Sequence, residues 1–386
     1  MAVVPTKPDI ESALRGVVDP ELGADVVELG MVPAIDINED GTVIVHLALT
    51  IAACPMRDQI ESDVIRKLEA MPGVAAVRVE VTAMTQSQRS EVMSKARFKA
   101  REDAAPTMVN PMTRVIAVGS GKGGVGKSSV SVNLAVGLRL LGFNVGLLDA
   151  DIWGFSIPRM LGAEGRLEAN DDRKIVPQVA SGIHLVSTGL MVDSENTALM
   201  WRGLMLSKAL EQFLRDVEWP SDLDYLVLDM PPGTGDIQMA LARLLPQAEM
   251  VVVTTPQKAA QKVAARVADM ARRSYMPVVG VVENMAGFTS DDGKVYNLFG
   301  QGGGQELADE LGVPLIGSVP LDPLVVEGGD DGLPVIEARP ESGAASAFAD
   351  AAKRIIELVP PVVDETCTAR LAVIEEAIGR LEESTG

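Results

Sequence analysis

The stretch Gly119–Ser129, which reads GSGKGGVGKSS, has the residue types and spacing of a phosphate-binding loop. Gly121, Gly126, Lys127 and Ser128 fit the pattern G-x-x-x-x-G-K-[ST]. Glycines let the backbone curl so that successive N–H groups point at phosphate oxygens, and the positive end of the next helix adds to the attraction. The sequence therefore predicts that Lys127 contacts the β- and γ-phosphates of a nucleotide and that the Ser128 hydroxyl binds Mg²⁺. The alternative is a glycine-rich turn between a strand and a helix that binds no ligand.

Lys122 is a second lysine inside this loop. From the outer edge of the loop it does not easily reach the γ-phosphate of a nucleotide on its own chain. In a face-to-face homodimer it would reach the partner's phosphates and act like an arginine finger; the alternative is an exposed lysine. The sequence K-G-G-V-G-K-S resembles the deviant Walker A family, which includes cell-division and plasmid-partition ATPases. The loop residues predicted to surround the nucleotide are Gly121, Lys122, Gly123, Gly124, Val125, Gly126, Lys127, Ser128 and Ser129.

Two carboxylates follow apolar runs that read as strands. Asp151 closely follows the run Val145–Leu148 and is predicted to orient the attacking water and to support Mg²⁺ through its water shell. Asp229 closes the run Tyr225–Leu228 in the form of a Walker-B motif, and we predict that it contacts Mg²⁺ indirectly. An aspartate at a strand end is often only a helix cap. The nearby phosphate loop favours the catalytic interpretation.

Gly233 and Asn284 complete the predicted nucleotide site. Gly233 lies in the turn after Asp229, where its N–H can reach a γ-phosphate. Asn284 follows the run Val278–Val282 and can pair with an adenine, donating to N7 and accepting from the exocyclic amine. All these residues fall where ligands bind in open α/β sheets, beyond the carboxyl ends of the strands.

The pattern of apolar runs predicts the fold that positions these residues. From about residue 113, short apolar runs alternate with helical patterns such as Val130–Leu141 and Ala259–Ser274, as in the βαβ units of a parallel sheet covered on both faces. We predict an α/β fold, in which a doubly wound, mostly parallel sheet of a P-loop NTPase domain is preceded by a small α+β domain. The predicted units are residues 1–85 (small α+β domain), 86–112 (linker), 113–362 (P-loop ATPase domain) and 363–386 (C-terminal helix).

Cys54 is the candidate metal ligand of the N-terminal domain. Pro55 suits the first position of a helix, so Cys54 would lie at a helix N-terminus, where the dipole favours the metal-binding thiolate. The alternative is a small buried residue that caps a helix. Cys367, the other cysteine, falls in the segment Thr366–Glu383, which we predict to be a packing or dimer helix. Two cysteines exclude a disulfide framework and fit a reducing compartment.

The formal net charge of −20 restricts the expected partners. A strongly acidic surface repels phosphate backbones and anionic lipids, so we expect no non-specific binding to nucleic acid or to a membrane. The N-terminus lacks the hydrophobic segment of a signal peptide, and no apolar run approaches membrane-spanning length. These features predict a soluble, cytoplasmic protein.

Together, these motifs resemble the Mrp/ApbC group of P-loop ATPases, which are described as iron–sulfur cluster carriers. Asp19-Pro20-Glu21 and Cys54-Pro55 are similar to the small domain of iron–sulfur assembly factors, so the resemblance covers almost the whole chain. It implies ATP and an iron–sulfur cluster as ligands, and a homodimer that delivers clusters to apo iron–sulfur client proteins. The shared stretches of the larger domain are GKGGVGKSS, DADIWGFSIPRMLG, LVLDMPPGTGD, TTPQ, ENM, LFGQGGGQELADELGVPLIGSVPLD and EGGDDG.

One segment departs from this family. The family's cluster ligands are a C-x-x-C pair between the E-N-M and F-G-x-G-G-G blocks, where this chain reads FTSDDGKVY and has no cysteine. Ser290, Asp291 and Asp292 offer hard oxygen atoms, which suit a cluster poorly.

Three functions therefore compete. The leading hypothesis is an ATP-hydrolysing carrier whose cluster binds transiently through paired Cys54 thiolates. The alternative is an ATP-switched dimeric scaffold or regulator that binds no cluster. A partition-type ATPase on DNA or membrane is disfavoured by the net charge.

Overall fold

The computed structural model describes residues 5–19, 24–38, 40–50, 57–102, 107–151, 154–191, 204–233, 236–290 and 292–362. The chain divides into two units, Met1–Ala104 and Ala105–Gly386. The predicted linker at 86–112 and the predicted C-terminal helix at 363–386 stay predictions, and the second lies outside the described residues.

The N-terminal unit is built on a three-stranded sheet with the order β1-β2-β3. β1 and β2 form an antiparallel hairpin, and β3 runs parallel to β2. A parallel pair needs a crossover connection, which α2 supplies by burying Ile60, Val64 and Leu68 on one face at helical spacing. The elements of this unit are α1 (Lys7–Leu14), β1 (Ala34–Ile37), β2 (Thr42–Leu49), α2 (Arg57–Glu69), β3 (Ala76–Ala83) and α3 (Gln86–Glu102).

The C-terminal unit is built on an eight-stranded sheet with the order β15-β12-β11-β4-β10-β5-β9-β8. Every neighbouring pair is parallel except β8 and β9. Its strands are β4 (Arg114–Ser120), β5 (Val145–Asp149), β6 (Glu168–Ala169), β7 (Ile175–Val176), β8 (Gln178–Ala180), β9 (Ile183–Ser187), β10 (Tyr225–Asp229), β11 (Glu249–Thr254), β12 (Val278–Glu283), β13 (Phe288–Thr289), β14 (Val295–Tyr296) and β15 (Leu315–Ser318).

Helices cover both faces of this sheet. One apolar core lies between the sheet and α4, α5, α11 and α12, and the other between the sheet and α6, α7, α8 and α9. The predicted doubly wound, mostly parallel α/β fold is therefore confirmed. The helices are α4 (Lys127–Leu140), α5 (Ile157–Met160), α6 (Leu204–Asp216), α7 (Asp236–Leu244), α8 (Lys258–Arg273), α9 (Gly303–Leu311), α10 (Pro323–Asp330), α11 (Val335–Ala338) and α12 (Gly343–Leu358), with a short 3-10 turn at Thr188–Leu190.

The strand order places β4 at the point where the direction of chain progression reverses. β10 lies beside β4 on one side, with β5 beyond it, while β11 lies on the other side. Asp229 at the end of β10 is in register with Asp149 at the end of β5. The carboxyl ends of these strands thus bring the predicted site residues to one edge of the sheet, at the place where open α/β sheets bind ligands.

Short antiparallel elements add to the predicted alternation of strands and helices. β8 extends one edge of the large sheet, and the pairs β6–β7 and β13–β14 form separate two-stranded ribbons. None of the described helices combines the length and the apolar character needed to span a bilayer.

Candidate functional site

Close packing requires glycine at both ends of the loop between β4 and α4. Gly126, just before α4, has a φ of +76° in the left-handed region. A Cβ atom there would lie 2.2 Å from Nδ2 of Asn284, and a Cβ atom on Gly121 would lie 2.4 Å from the backbone carbonyl carbon of Val263. Because neither position accepts a side chain, the loop can follow this path only with glycine at both.

The loop and the first turn of α4 line an open cleft of about 260 Å³. The first backbone N–H groups of a helix have no partner within the helix, and they add to its positive end. This surface attracts anions, phosphate groups above all. Apart from loop residues, the lining of the cleft includes Asp151, Gly154, Ser156, Met160 and Pro232.

Lys127, Ser128 and Asp229 meet at the base of this cleft. Lys127 is only 6% exposed, and its Nζ donates to Oδ2 of Asp229 at 2.6 Å. The Ser128 hydroxyl donates to the same carboxylate oxygen at 2.7 Å. The structure therefore brings together the phosphate lysine, the metal-binding hydroxyl and the Walker-B carboxylate that the sequence predicts. The hydroxyl oxygen of Ser128 and the carboxylate oxygens of Asp229 are hard atoms of the kind that Mg²⁺ prefers.

Ser131 is a member of this cluster that sequence reasoning missed. Its Oγ donates to Oδ1 of Asp229 at 2.6 Å, so both carboxylate oxygens of Asp229 accept hydrogen bonds from α4. The sequence spacing could have indicated Ser131, because it lies four residues after Lys127 and therefore on the same helix face. Ser131 holds the orientation of Asp229 beneath the loop.

Asp151 reaches the same cluster from the end of β5. Its Oδ2 lies 3.7 Å from Nζ of Lys127. Burial raises the pKa of Asp151, and the nearby lysine opposes that rise only in part. A carboxylate held in this way is a better proton acceptor than an exposed aspartate.

Asp149 lies fully buried next to this group. Its oxygens accept hydrogen bonds from the backbone N–H of Asp151 at 3.1 Å and from the Ser187 hydroxyl at 3.0 Å. Burial, reinforced by the negative charge of Asp229, raises the pKa of Asp149 to about 8.

This raised pKa predicts a pH dependence of the free energy of unfolding. The folded chain keeps a proton that the unfolded chain loses, so the stabilisation is complete below pH 3.8 and is lost as the pH rises through about 8. In metal-free protein we expect Asp149 to make the free energy of unfolding fall as the pH rises across that interval, by on the order of 1 kcal/mol per pH unit. Asp149→Asn should remove this slope in urea unfolding experiments. The exposed Asp222→Asn serves as control, and an unchanged slope in Asp149→Asn would contradict the prediction.

Lys122 lines the same cleft but bonds to a residue outside the Lys127 cluster. Its Nζ donates to Oε1 of Gln257 at 3.1 Å, and its carbonyl accepts from the Ser120 hydroxyl at 3.1 Å. Gln257 precedes α8 and belongs to the TTPQ stretch, but nothing in the sequence pairs it with Lys122. The loop lysine therefore has a partner on its own chain, and its reach into a second copy stays a prediction.

Gly233 and Asn284 make hydrogen bonds within the protein. The N–H of Gly233 donates to the Ser120 carbonyl at 2.9 Å, and Nδ2 of the buried Asn284 donates to the Val125 carbonyl at 2.9 Å. The predicted contacts with a γ-phosphate and an adenine stay predictions. The single N–H of Gly233 would have to leave the Ser120 carbonyl, whereas the Asn284 amide has a second N–H to offer. In this structure, both residues fix the shape of the loop.

Most of the candidate iron ligands fall outside the part of the chain that the structure describes. Cys54 and Cys367 lie outside the described residues, and so does Asp291. In the part of the chain that is described, no group of three or more His, Cys, Asp or Glu side chains is arranged to hold a metal ion. The β13–β14 hairpin carries Ser290 and Asp292, which bond to each other, and Lys294 donates to Asp292 at 2.7 Å. These contacts hold the pKa of Asp292 below its usual value, the Lys294 bond most strongly.

A doubly wound sheet, a glycine loop before α4 and a buried Lys–Ser–Asp cluster define a P-loop nucleoside triphosphatase. Residues 111–356 match the family described as NUBPL iron-transfer P-loop NTPase, and residues 7–81 match the family described as iron–sulfur cluster assembly protein. The chain belongs to the NUBPL iron-transfer P-loop NTPase family. The resemblance predicted from the motifs is confirmed.

Relatives and solved structures agree with this family. The iron–sulfur cluster carrier protein of Mycobacterium tuberculosis is 46% identical over 340 residues, covering 86% of this chain and 88% of the relative. A nucleotide-binding protein from Archaeoglobus fulgidus, solved with ADP, is 32% identical with a TM-score of 0.54, covering 65% of this chain and 96% of that one. The septum site-determining protein MinD of Pyrococcus horikoshii, complexed with Mg-ADP, shares the fold at 22% identity and a TM-score of 0.50, covering 64% of this chain and 98% of that one.

Proposed function

We propose that this protein is a homodimeric ATPase that carries iron–sulfur clusters and delivers them to apo client proteins. The convergence of Lys127, Ser128 and Asp229 beneath the glycine loop carries the nucleotide half of the proposal. Family membership and the carrier relatives support the iron half. The net charge of −20 favours protein clients over nucleic acid or a membrane as partners, and we propose that delivery takes place in the cytoplasm.

The proposed ATP hydrolysis uses four side chains of one copy and Lys122 of a second copy. Lys127 neutralises the β- and γ-phosphates, Ser128 would bind Mg²⁺ and Asp229 would contact that ion indirectly, and the ion would supply charge stabilisation when bound. Asp151 orients a water molecule whose oxygen attacks the γ-phosphorus, while the bond to the β-phosphate oxygen breaks. A proton of that water passes to Asp151, and ADP and inorganic phosphate leave. Lys122 of a second copy stabilises the developing negative charge from the opposite side.

The cluster is the cargo of this reaction. Its proposed protein ligands are the Cys54 thiolates of two copies, since the β13–β14 hairpin contributes no thiol. In the sequence, Cys54 precedes Arg57, the first residue given for α2, by three positions. Thiolate is the ligand that binds iron–sulfur clusters in proteins.

Anaerobic reconstitution with iron and sulfide tests the carrier role. Wild type should acquire iron, sulfide and visible absorbance, and it should transfer a cluster to an apo acceptor protein. Cys54→Ala should lose the bound iron to background because both proposed thiolate ligands disappear, whereas Cys367→Ala, the matched control, should retain it. If wild type acquires no cluster and transfers none, the carrier role is wrong.

The hairpin favours one alternative function. Ser290, Asp292 and Lys294 bond to one another at the place where relatives of the Mrp/ApbC group carry two cysteines. A dimeric scaffold or regulator switched by ATP would need no cluster ligands there. ATP-dependent capture of a partner protein by iron-free wild type, without cluster transfer, would favour this alternative.

A further inference from the structure

A second cavity, of about 750 Å³, lies away from the nucleotide cleft in the C-terminal unit. It is a groove between the C-terminal end of α4, α11 and the N-terminal half of α12. Its apolar lining consists of Leu140, Leu141, Ile336, Pro340, Ala345 and Ala349. Leu140 at its edge is 43% exposed, whereas Leu141 and Ile336 in the floor of the groove are buried.

Two ion pairs within the chain lie around this groove, and the exposed Glu341, which also lines it, has no ion-pair partner among the described residues. Arg139 bonds to Glu337, and Nζ of Lys353 lies 3.5 Å from Oδ1 of Asp350. Ion pairs of this kind leave little net charge to attract a small ionic ligand. The groove therefore suits an elongated apolar occupant better than an anion or a cation.

The chain itself supplies such an occupant beyond Val362. In residues 363–386, Leu371, Ile374, Ile378 and Leu381 recur at intervals of three and four residues. Glu375, Glu376 and other charged residues fall between them. This spacing predicts an amphipathic helix with one narrow apolar stripe, and such a helix needs an apolar surface to pack on.

The end of α12 places this segment within reach of the groove. The Val359 carbonyl accepts from the Tyr225 hydroxyl at 2.9 Å, and the Pro360 carbonyl accepts from Nε of Arg114 at 2.7 Å, so the chain leaves α12 at a fixed point. From Leu358 back to Ala345, α12 spans about 20 Å, and a helix over residues 366–383 would span about 27 Å. The intervening residues match the usual length of a helix–helix connection.

We propose that residues 363–386 fold back as a helix antiparallel to α12 and bury their apolar stripe in the groove beside Leu140 and Ala349. The groove is then the docking site for the C-terminal segment of the same chain. This docking covers the exposed Leu140 and requires neither nucleotide nor iron.

Disulfide trapping in the full-length chain tests this docking. With Cys54→Ser and Cys367→Ser as background, the pair Ala349→Cys and Ile374→Cys should form an intramolecular disulfide under mild oxidation, detected by peptide mass spectrometry. In the matched control, Ala349→Cys with Glu376→Cys, the second thiol lies on the opposite helix face and should stay reduced. Equal trapping of both pairs, or trapping only between two chains, would overturn the proposal.

Hydrogen exchange provides a second test that introduces no cysteine. In the full chain, Ile374→Asp with Ile378→Asp should speed amide exchange in residues 137–141 on the order of tenfold, because the covering helix is lost. Leu298→Asp, a substitution of an exposed leucine after β14, serves as control and should leave that exchange unchanged. Identical exchange in wild type and the double variant would contradict docking at this groove.

Discussion

Lys127→Ala lowers the affinity for ADP and ATP by at least about 30-fold, since truncating a buried, hydrogen-bonded charge costs about 2 kcal/mol or more. Among the described residues, Lys127 is the one loop side chain that lies within ion-pair distance of both Asp229 and Asp151. Its ammonium group must therefore neutralise the bound phosphates as well as these carboxylates. Isothermal titration with ADP measures the loss directly.

The same substitution also affects the nucleotide-free protein. Asp229 is buried, and without Lys127 it keeps only the hydroxyl donors Ser128 and Ser131. Breaking a buried ion pair by removing one partner costs about 3–5 kcal/mol. We therefore expect a lower unfolding temperature in Lys127→Ala, and circular dichroism must show that the variant is folded before binding is measured.

Lys174→Ala provides the matched control. Lys174 is partly exposed and pairs with Asp216 at 3.4 Å, away from the cleft. Its removal should change neither nucleotide affinity nor unfolding temperature appreciably, because such pairs contribute little. A folded Lys127→Ala variant that binds ADP with wild-type affinity would contradict the proposed site.

The arrangement of the candidate nucleotide site was predictable because its parts are local motifs at the ends of parallel strands. The spacing of Gly121, Gly126, Lys127 and Ser128 specifies a strand–loop–helix turn by itself. Asp229 follows a buried apolar run, and the parallel sheet places the end of that run beside β4. In this case, sequence pattern and fold class together imply the contact.

Side-chain partners within the site were not predictable in the same way. Gln257, the partner of Lys122, lies 135 residues further along the chain, and Asn284 bonds to Val125 across 159 residues. Such contacts depend on strand order and on loop paths, which apolar periodicity does not encode. The antiparallel edge strand β8 was missed for a related reason, because three residues are too few to show a pattern.

We expect Lys122→Ala to remove ATP hydrolysis while nucleotide binding stays near the wild-type value. Lys122 contacts Gln257 rather than the Lys127–Asp229 pair, so its loss leaves the proposed phosphate and metal ligands in place. Residues that act as arginine fingers are worth about 10³-fold or more in rate. Phosphate release at saturating ATP should fall by that factor, whereas titration with ADP should give an affinity within about threefold of wild type, since binding and transition-state contacts are separable.

Mixing two inactive variants decides whether Lys122 acts on its own nucleotide or on the partner's. In a heterodimer of Lys122→Ala and Asp151→Ala, the nucleotide on the Lys122→Ala chain keeps its own Asp151 and receives Lys122 from the other chain. Random pairing should then restore about a quarter of the wild-type rate if the lysine acts across the dimer, as arginine fingers supplied in trans do. If Lys122 acted on its own chain's nucleotide, every site in the mixture would lack one of the two groups and no activity would return. Size-exclusion chromatography with ATP must first show that both variants dimerise. If they dimerise and the mixture still shows no ATPase activity, the shared site is contradicted.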